Sequence, residues 1–461
     1  MDFDSIVEQV KKDFVSPKSL DLQVKKVKIK DKDGNDDVLE VVKSSRYNLH
    51  QIITGHHKFD SLFWDDFAMC IRWNEAKIQD EDITRIAIWL ERVYRINITE
   101  ADIRKVLYLV ARDRARNPLQ EFFDAQINPD EPEKFGWDGI PRLETLLIDY
   151  FGVVDDEKKL HRAYAKKFFI GAVRRALHST LENPVKMDFA LLSMGEQGIG
   201  KSSAVNALAM KDEWFSDEPL DISSKDYHYH IQGKLLFEMA EWANRSKNIQ
   251  LEKNFFTKKI DRYRPVYKTF QIEVPRRTSF WIQVNRKNQF NDSTGSRRFL
   301  AFVCGLNPDG TKWPKGKMID IDALKSIAVQ IWLEARYLAE QKDKNGKWIH
   351  AHWLSIEEDK ARADQNKLFT SFHPWKDIVL QSAENTRCFT HYHDKKTLHQ
   401  TLVSVSDIMK DMNLKTSEMN NKSKTIIEMI LRESGFDKVR TTYNRKRTVA
   451  WCGYLEEDEP K

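Results

Sequence analysis

The sequence is poor in the residues that mark several large classes of protein. Its 461 residues include only 4 cysteines, 17 glycines and 13 prolines. The few glycines and prolines exclude collagen-like chains and chains made mainly of linkers. Cys70, Cys304, Cys388 and Cys452 lie far apart without a Cys-x-x-Cys pair, which argues against a disulfide framework or a zinc knuckle and favours a reducing, cytoplasmic setting.

Long hydrophobic runs and a strong charge of one sign are also missing. No stretch reaches about 18 apolar residues and the first residues lack an apolar core, so we expect neither a membrane span nor a signal peptide. Lys plus Arg number 75 and Asp plus Glu number 70, which gives a net charge of +5. That bulk charge is too small to indicate a nucleic-acid partner by itself, although a local concentration of charge could bind one.

The hydrophobic pattern changes along the chain and predicts three domains. Residues 1–130 combine a short Asp-Gly hairpin with helical spacing and are predicted as an N-terminal, mostly helical domain. Residues 131–366 begin with a helical lead-in and then alternate short apolar runs with helical patterns, which predicts a parallel α/β core. Residues 367–461 are predicted as a loop-rich connector followed by a small C-terminal domain.

A phosphate-binding motif follows the first apolar run of the core. Residues 195–202 match G-x-x-x-x-G-K-[ST], between a predicted strand at 188–194 and a helical pattern. Backbone N–H groups of such a loop hold phosphates, with the lysine on the β- and γ-phosphates and the serine on Mg²⁺. The core is therefore predicted to be a P-loop NTPase that uses ATP and Mg²⁺. The nucleotide-binding residues are Gly195, Glu196, Gln197, Gly198, Ile199, Gly200, Lys201, Ser202 and Ser203.

Two later strands are predicted to complete an ATPase site. The run from Lys234 ends at Glu238 and Glu241, and the run 279–284 ends at Asn285. We assign Glu238, with Ser202, to the metal and Glu241 to the attacking water, and we expect Asn285 to reach the γ-phosphate or that water. Arg297 and Arg298 suit an arginine finger offered to a neighbouring subunit.

Positive charge is concentrated in two segments. Residues 258–277 contain seven basic and two acidic residues, interleaved with aromatic residues, and this pattern favours single-stranded DNA. Residues 438–447 contain five basic residues and no acid. They follow two predicted helices in a winged-helix-like outline that favours duplex DNA. The predicted DNA contacts are Lys258, Lys259, Arg264, Tyr267, Lys268, Lys438, Arg440, Arg445, Lys446 and Arg447.

The motifs occur in an order that resembles the virulence-associated protein E family of phages and bacterial pathogenicity islands. The order is Trp137 to Arg142, the phosphate loop, Glu238 and Glu241, Asp261 to Pro265, Pro275 to Arg277, Asn285, and Thr294 to Phe299. The ATPase core of that family resembles superfamily 3 helicases and the AAA+ architecture. One departure is Val284, because the family usually has Thr or Ser before the asparagine. The N-terminal region also looks too short and too helical for the primase domain that many relatives carry.

The resemblance implies a function as well as a fold. It implies a homo-oligomeric ring, a hexamer, that hydrolyses ATP to unwind DNA and initiates replication of a mobile element in the cytoplasm of a bacterial host. The resemblance also places a pore hairpin in residues 258–277, with Lys268 near its tip. Any of Arg262, Arg264, Arg297 and Arg298 remains open as the arginine finger. An alternative is a P-loop ATPase that acts as an assembly switch or defence scaffold without unwinding.

Overall fold

The computed structural model divides the chain into two compact units. Unit 1 comprises residues 1–286 and 292–367, and unit 2 comprises residues 287–291 and 368–461. The two units are described separately below. The residues that the structure describes are 13–30, 36–240, 249–264, 270–285, 296–367, 369, 375–386, 388–389, 401–415, 417–434, 436–443 and 446–453.

The described residues of the first part of unit 1 form the β1–β2 hairpin, four helices and a small three-stranded sheet. Side-chain caps start two of these helices, because Ser45 and Thr99 accept hydrogen bonds from N–H groups in the following turns. Buried Ile86 and Leu90 lie on the inner face of α2, as the helical spacing predicts. The elements are β1 (Val24–Lys30), β2 (Asp36–Val42), α1 (Arg46–Gly55), β3 (Phe63–Asp65), β4 (Cys70–Trp73), β5 (Ala76–Lys77), α2 (Asp80–Tyr94), α3 (Glu100–Asp113) and α4 (Pro118–Asp124).

The remainder of unit 1 is an α/β core. Its helices are α5 (Leu146–Phe151), α6 (Leu160–Val173), α7 (Lys201–Leu208), α8 (Tyr227–Ile231), α9 (Ile249–Thr257), α10 (Ile321–Glu340) and α11 (Ile356–Lys367). Its strands are β6 (Ala190–Met194), β7 (Phe215–Ser216), β8 (Leu236–Ala240), β9 (Ile260–Tyr263), β10 (Ile272–Pro275), β11 (Ser279–Val284) and β12 (Phe299–Val303).

Five of these strands form one parallel sheet in the order β12-β6-β11-β8-β7. All residues of β6 and β11 are buried, which explains their continuous apolar runs. The Trp332 ring of α10 packs 4.9 Å from that of Phe169 in α6 and donates its Nε1–H to the Leu208 carbonyl at the end of α7. The predicted parallel α/β core is thus confirmed. The Trp332 hydrogen bond also holds the C-terminal end of α7 in place.

Strands β9 and β10 form a separate antiparallel hairpin before β11. The hairpin stem occupies the ends of the segment 258–277, and residues 265–269 of its tip lie outside the described residues. The mostly helical region predicted for residues 1–130 also contains the three-stranded sheet β3–β5, whose strands of two to four residues are too short to show a period.

The residues that the structure describes in unit 2 form a four-stranded antiparallel sheet and three helices. They are α12 (Lys376–Asn385), β13 (Cys388–Phe389), β14 (Thr401–Val403), α13 (Val405–Asp411), α14 (Asn421–Glu433), β15 (Asp437–Tyr443) and β16 (Lys446–Gly453), with strand order β13-β14-β16-β15. The apolar side chains of Val379, Ile408, Ile427, Leu431 and Trp451 form its core. The loop-rich connector expected before this domain therefore contains α12, which contributes Val379 to the core.

Candidate active site

The three motif-bearing strands end at the same edge of the sheet. β11 lies between β6 and β8, and all three run parallel. In open α/β sheets, ligands bind outside the carboxyl ends of the strands. The loop after β6, Glu238 within β8 and Asn285 after β11 are therefore neighbours in space, although they are far apart in sequence.

The loop 195–200 joins β6 directly to α7 and depends on its glycines. Gly198 and Gly200 have φ angles of +87° and +90°, which residues other than glycine rarely adopt. A Cβ on Gly195 would lie 2.6 Å from the Cys304 sulfur, so only glycine fits there. Helix α7 starts at Lys201 without a side-chain cap. Its first N–H groups and its positive dipole end are therefore suited to an anion.

Lys201 is held inside this loop. Its side chain is buried, and its Nζ donates to the carbonyls of Gly195 and Glu196 at 2.9 and 2.7 Å and to Asn285 Oδ1 at 3.2 Å. Burial lowers the pKa of Lys201. The acceptors of the Lys201 ammonium group are thus all neutral oxygens. A phosphate bound in this loop would offer it a negatively charged acceptor instead.

Glu238 is the most unusual ionisable group of the site. It is 2% exposed and accepts a 2.7 Å hydrogen bond from the Ser202 hydroxyl. The pKa of Glu238 is raised to about 7, mainly by burial and also by the negative charge of Asp217. The Ser202 hydrogen bond and the charge of Lys201 act in the opposite direction. Its second oxygen, Oε2, has no hydrogen-bond partner among the described residues.

These groups fit a magnesium ion. Mg²⁺ prefers oxygen ligands and is usually held by one or two protein oxygens together with substrate phosphates and waters. The Ser202 hydroxyl and the unsatisfied carboxylate oxygen of Glu238 supply such ligands beside the phosphate loop. Among the described residues no group of three His, Cys, Asp or Glu side chains is arranged as a metal site, so the nucleotide and water would complete the coordination.

Two further polar residues at this edge were missed in the sequence. Gln283 Oε1 lies 3.4 Å from the Ser202 hydroxyl. The period of two in strands puts Gln283 on the same face as Asn285, and that signal could have found it. Asp217 follows β7 and acts on Glu238 through its charge. A strand of only two residues gives no pattern from which Asp217 could be inferred.

The remaining predicted catalytic residues are placed as follows. Glu241 lies outside the described residues. Arg297 and Arg298 belong to a short 3₁₀ turn that leads into β12, where Arg297 is exposed and Arg298 is buried. Their assignment, and the predicted role of Glu241, stay predictions.

The stem of the β9–β10 hairpin is fixed by buried charges. Arg276 is buried and donates its Nε–H to Asp261 Oδ2 at 2.9 Å. Burial acts to raise the pKa of Asp261, but hydrogen bonds and nearby positive charge outweigh it and hold that pKa well below its usual range. Arg175 donates to the carbonyls of Arg276 and Lys258, one on each side of the stem. The hairpin is therefore attached rigidly to the core.

The basic residues of this segment differ in the contacts that they make. Lys258 is bound through its Nζ to the Tyr227 hydroxyl at 2.7 Å. Lys259, Arg264 and Phe270 are exposed, and Phe270 has 81% of its surface accessible. The predicted contacts Tyr267 and Lys268 lie outside the described residues.

The second basic segment lies in the last two strands of unit 2. Lys438 forms an ion pair with Glu428 at 3.0 Å, and its Nζ lies 5.6 Å from the centre of the Trp451 ring. Arg440 belongs to β15, and Lys446 and Arg447 belong to β16. Arg445 lies outside the described residues.

In the described part of the chain, no helix is long and apolar enough to cross a membrane.

Comparison with known proteins points to one family. A family profile described as the virulence-associated protein E-like domain matches residues 133–371. The chain is similar to the apo structure of the NrS-1 C-terminal region (305–718), with 14% identity, a TM-score of 0.40 and coverage of 85% of this chain and 96% of that one. The A form apo structure of that region gives 15% identity, a TM-score of 0.35 and coverage of 86% and 96%. No curated protein matches the chain.

Proposed function

The chain belongs to the virulence-associated protein E-like family, and from this premise we propose that it is an ATP-dependent DNA helicase and replication initiator of a phage or pathogenicity island. The observation that carries the proposal is the cluster of Lys201, Ser202, Glu238 and Asn285 at the carboxyl edge of the sheet. In this proposal the core is an AAA+-like P-loop ATPase that works as a ring, a hexamer, in the cytoplasm of the host.

The loop and the first turn of α7 would bind the phosphates of ATP. Lys201 would leave the carbonyls of Gly195 and Glu196 for the β- and γ-phosphates, and Asn285 would then turn its amide to the γ-phosphate or the attacking water. Ser202 and Glu238 would hold Mg²⁺, which neutralises charge on the transferred phosphoryl group. Glu241 would orient the attacking water, and Arg297 or Arg298 would act in a neighbouring subunit's site.

DNA binding is proposed at the exposed end of the β9–β10 hairpin. Arg264 provides charge for phosphates, and Phe270 provides a ring on which a base of any type can stack. Lys259 lies at the other end of β9, at the base of the stem, and would contact phosphates farther along a bound strand. Lys258 is less suited to this role than the sequence indicated, because its ammonium group is bound to Tyr227. A rigid stem would transmit movements of the core to the hairpin tip.

A second DNA contact is proposed in unit 2. The order α12, β14, α13, α14 and the hairpin β15–β16 supports a winged-helix-like domain. The hairpin carries the basic segment 438–447, which would contact the phosphates of a duplex. Duplex binding there would let the protein recognise an origin while the core engages a single strand.

The test of the proposed function is an ATPase and fork-unwinding assay with Mg²⁺. Lys201→Ala should abolish hydrolysis and unwinding, because the phosphates lose their buried cation, while the circular dichroism spectrum stays unchanged. Arg92→Ala, at an exposed position on α2, is the matched control and should retain both activities. Hydrolysis that survives Lys201→Ala would contradict the assignment of the phosphate loop.

A second candidate function is an ATP-driven assembly switch that does not unwind DNA. It is favoured by the structural use of Arg276, since its positive charge is paired with Asp261 inside the hairpin stem. The same assay separates the two functions. ATP hydrolysis that does not respond to DNA, without unwinding, would favour the switch.

A further inference from the structure

Gln283, in strand β11, and Asn285, just after it, present two amide side chains to the start of α7. Asn285 Oδ1 accepts a hydrogen bond from Lys201 Nζ at 3.2 Å, and Gln283 Oε1 lies 3.4 Å from the Ser202 hydroxyl oxygen. The two amides therefore face consecutive residues at the start of α7. Asn285 has a role in the proposed site, whereas Gln283 has none.

Gln283 is buried like a core residue, but its hydrogen bonding is incomplete. It is 6% exposed, and its Nε2 has no hydrogen-bond partner among the described residues. A buried donor without an acceptor destabilises the protein, because it has lost its hydrogen bonds to water. The other hydrogen-bond partner of the Ser202 hydroxyl is Glu238, whose Oε2 is also unsatisfied among the described residues. Two incomplete polar groups that meet at one hydroxyl indicate that a ligand completes them.

The bonding of the Ser202 hydroxyl determines what Gln283 can do. A serine hydroxyl has one proton and two lone pairs, and its proton is donated to Glu238 Oε1 at 2.7 Å. The Gln283 oxygen at 3.4 Å therefore has no proton to accept. A half-turn of the amide brings Nε2 to this place, where it donates to one lone pair of Ser202. The other lone pair is then directed to a cation.

We propose that Gln283 is a positioning residue for the divalent cation, which it aligns by orienting the Ser202 hydroxyl. The turned amide also leaves its oxygen free to accept a hydrogen bond from a water on the cation. This inference rests on the proposed function, because it requires that Ser202 and Glu238 hold the metal of a bound nucleotide. Partners that orient metal ligands typically change metal affinity by about 10- to 100-fold.

The experiment measures Mn²⁺ binding to the full chain saturated with ADP, from the electron paramagnetic resonance signal of free Mn²⁺. Gln283→Met keeps the length and packing of the side chain but removes the amide. It should raise the Mn²⁺ concentration at half-saturation by about 10-fold or more, while ADP affinity in EDTA stays unchanged. Gln365→Met is the matched control, because Gln365 is a half-buried glutamine of α11 whose Nε2 contacts the His161 ring.

A double-mutant cycle shows whether Gln283 acts through Ser202. In a Ser202→Ala background, Gln283→Met should cause no further loss of Mn²⁺ affinity. A full additional loss in that background, or an unchanged half-saturation in the single variant, overturns the inference. If Gln283→Met does not fold, Gln283→Asn makes the same test, because its amide is one methylene too short to reach the hydroxyl. An unmodified chain that does not bind Mn·ADP overturns the proposed function together with the inference.

Discussion

Glu238 offers a test of the site that does not depend on catalysis. Its folded-state pKa is raised from 4.5 to about 7, so the folded protein binds more protons than the unfolded chain between these values. The free energy of unfolding must therefore fall as the pH rises through this window. A shift of this size corresponds to a loss of about 3 kcal/mol once the carboxyl group is ionised at pH 8.

Glu238→Gln removes the charge and keeps the shape and an acceptor for the Ser202 hydroxyl. Without nucleotide or metal, the variant should be more stable than the unmodified protein at pH 8, by up to about 3 kcal/mol, and about equally stable at pH 4.5. For a unit of about 360 residues, the midpoint of thermal unfolding should rise by roughly 4 °C at pH 8. The measurement is thermal unfolding at a series of pH values.

Glu334→Gln is the matched control for this prediction. Glu334 is also buried, but its Oε2 accepts the backbone N–H groups of Arg142 and Leu143 at 2.7 and 2.9 Å. Burial raises the pKa of Glu334 as well, but these two hydrogen bonds oppose the rise, so Glu334→Gln should raise the unfolding midpoint at pH 8 by less than Glu238→Gln does. A Glu238→Gln protein that melts lower at pH 8, or that differs from the unmodified protein by the same amount at both pH values, would refute the reasoning about burial.

Three further predictions concern the arginines and the hairpin. Arg276→Met should leave Asp261 buried without its partner and destabilise the protein by about 3–5 kcal/mol, whereas Arg262→Met, at an exposed pair, should leave thermal unfolding nearly unchanged. Phe270→Ala should weaken single-stranded DNA binding in fluorescence anisotropy by about 10-fold without changing ATP hydrolysis in the absence of DNA. An Arg297→Ala protein mixed with a Lys201→Ala protein should recover part of the ATPase activity of the unmodified ring, and no recovery in any mixing ratio would contradict a finger supplied by a neighbour.

Continuous apolar runs and the glycine pattern were enough to predict the centre of the core. β11 begins and ends at the predicted residues, and the loop after β6 leads into α7 as the motif requires. Such elements are defined locally, by burial on both faces and by backbone conformations that need glycine. The small sheet β3–β5 escaped prediction because its strands are stabilised by partners rather than by their own pattern.

The roles of charged residues could not be read from composition. Arg276 and Arg264 belong to the same basic segment, yet one is buried against Asp261 and the other is exposed. Pairing of β9 with β10 places Asp261 opposite Val274, two residues before Arg276. Only this register shows which positive charges are used within the fold. A count of charges in the sequence cannot distinguish a positive charge that is paired within the fold from one that is available to DNA.

Two buried glutamates show how the fold separates structure from chemistry. Burial raises the pKa of both Glu334 and Glu238. Glu334 accepts hydrogen bonds from two backbone N–H groups, which oppose the effect of burial and join α10 to the chain at Arg142. Glu238 has one hydrogen bond from Ser202 and an oxygen left over. A buried charge that the chain itself leaves incomplete is stabilised when a cation binds. In the proposed function, the stability that the apo protein lacks at Glu238 would drive binding of Mg²⁺ and nucleotide.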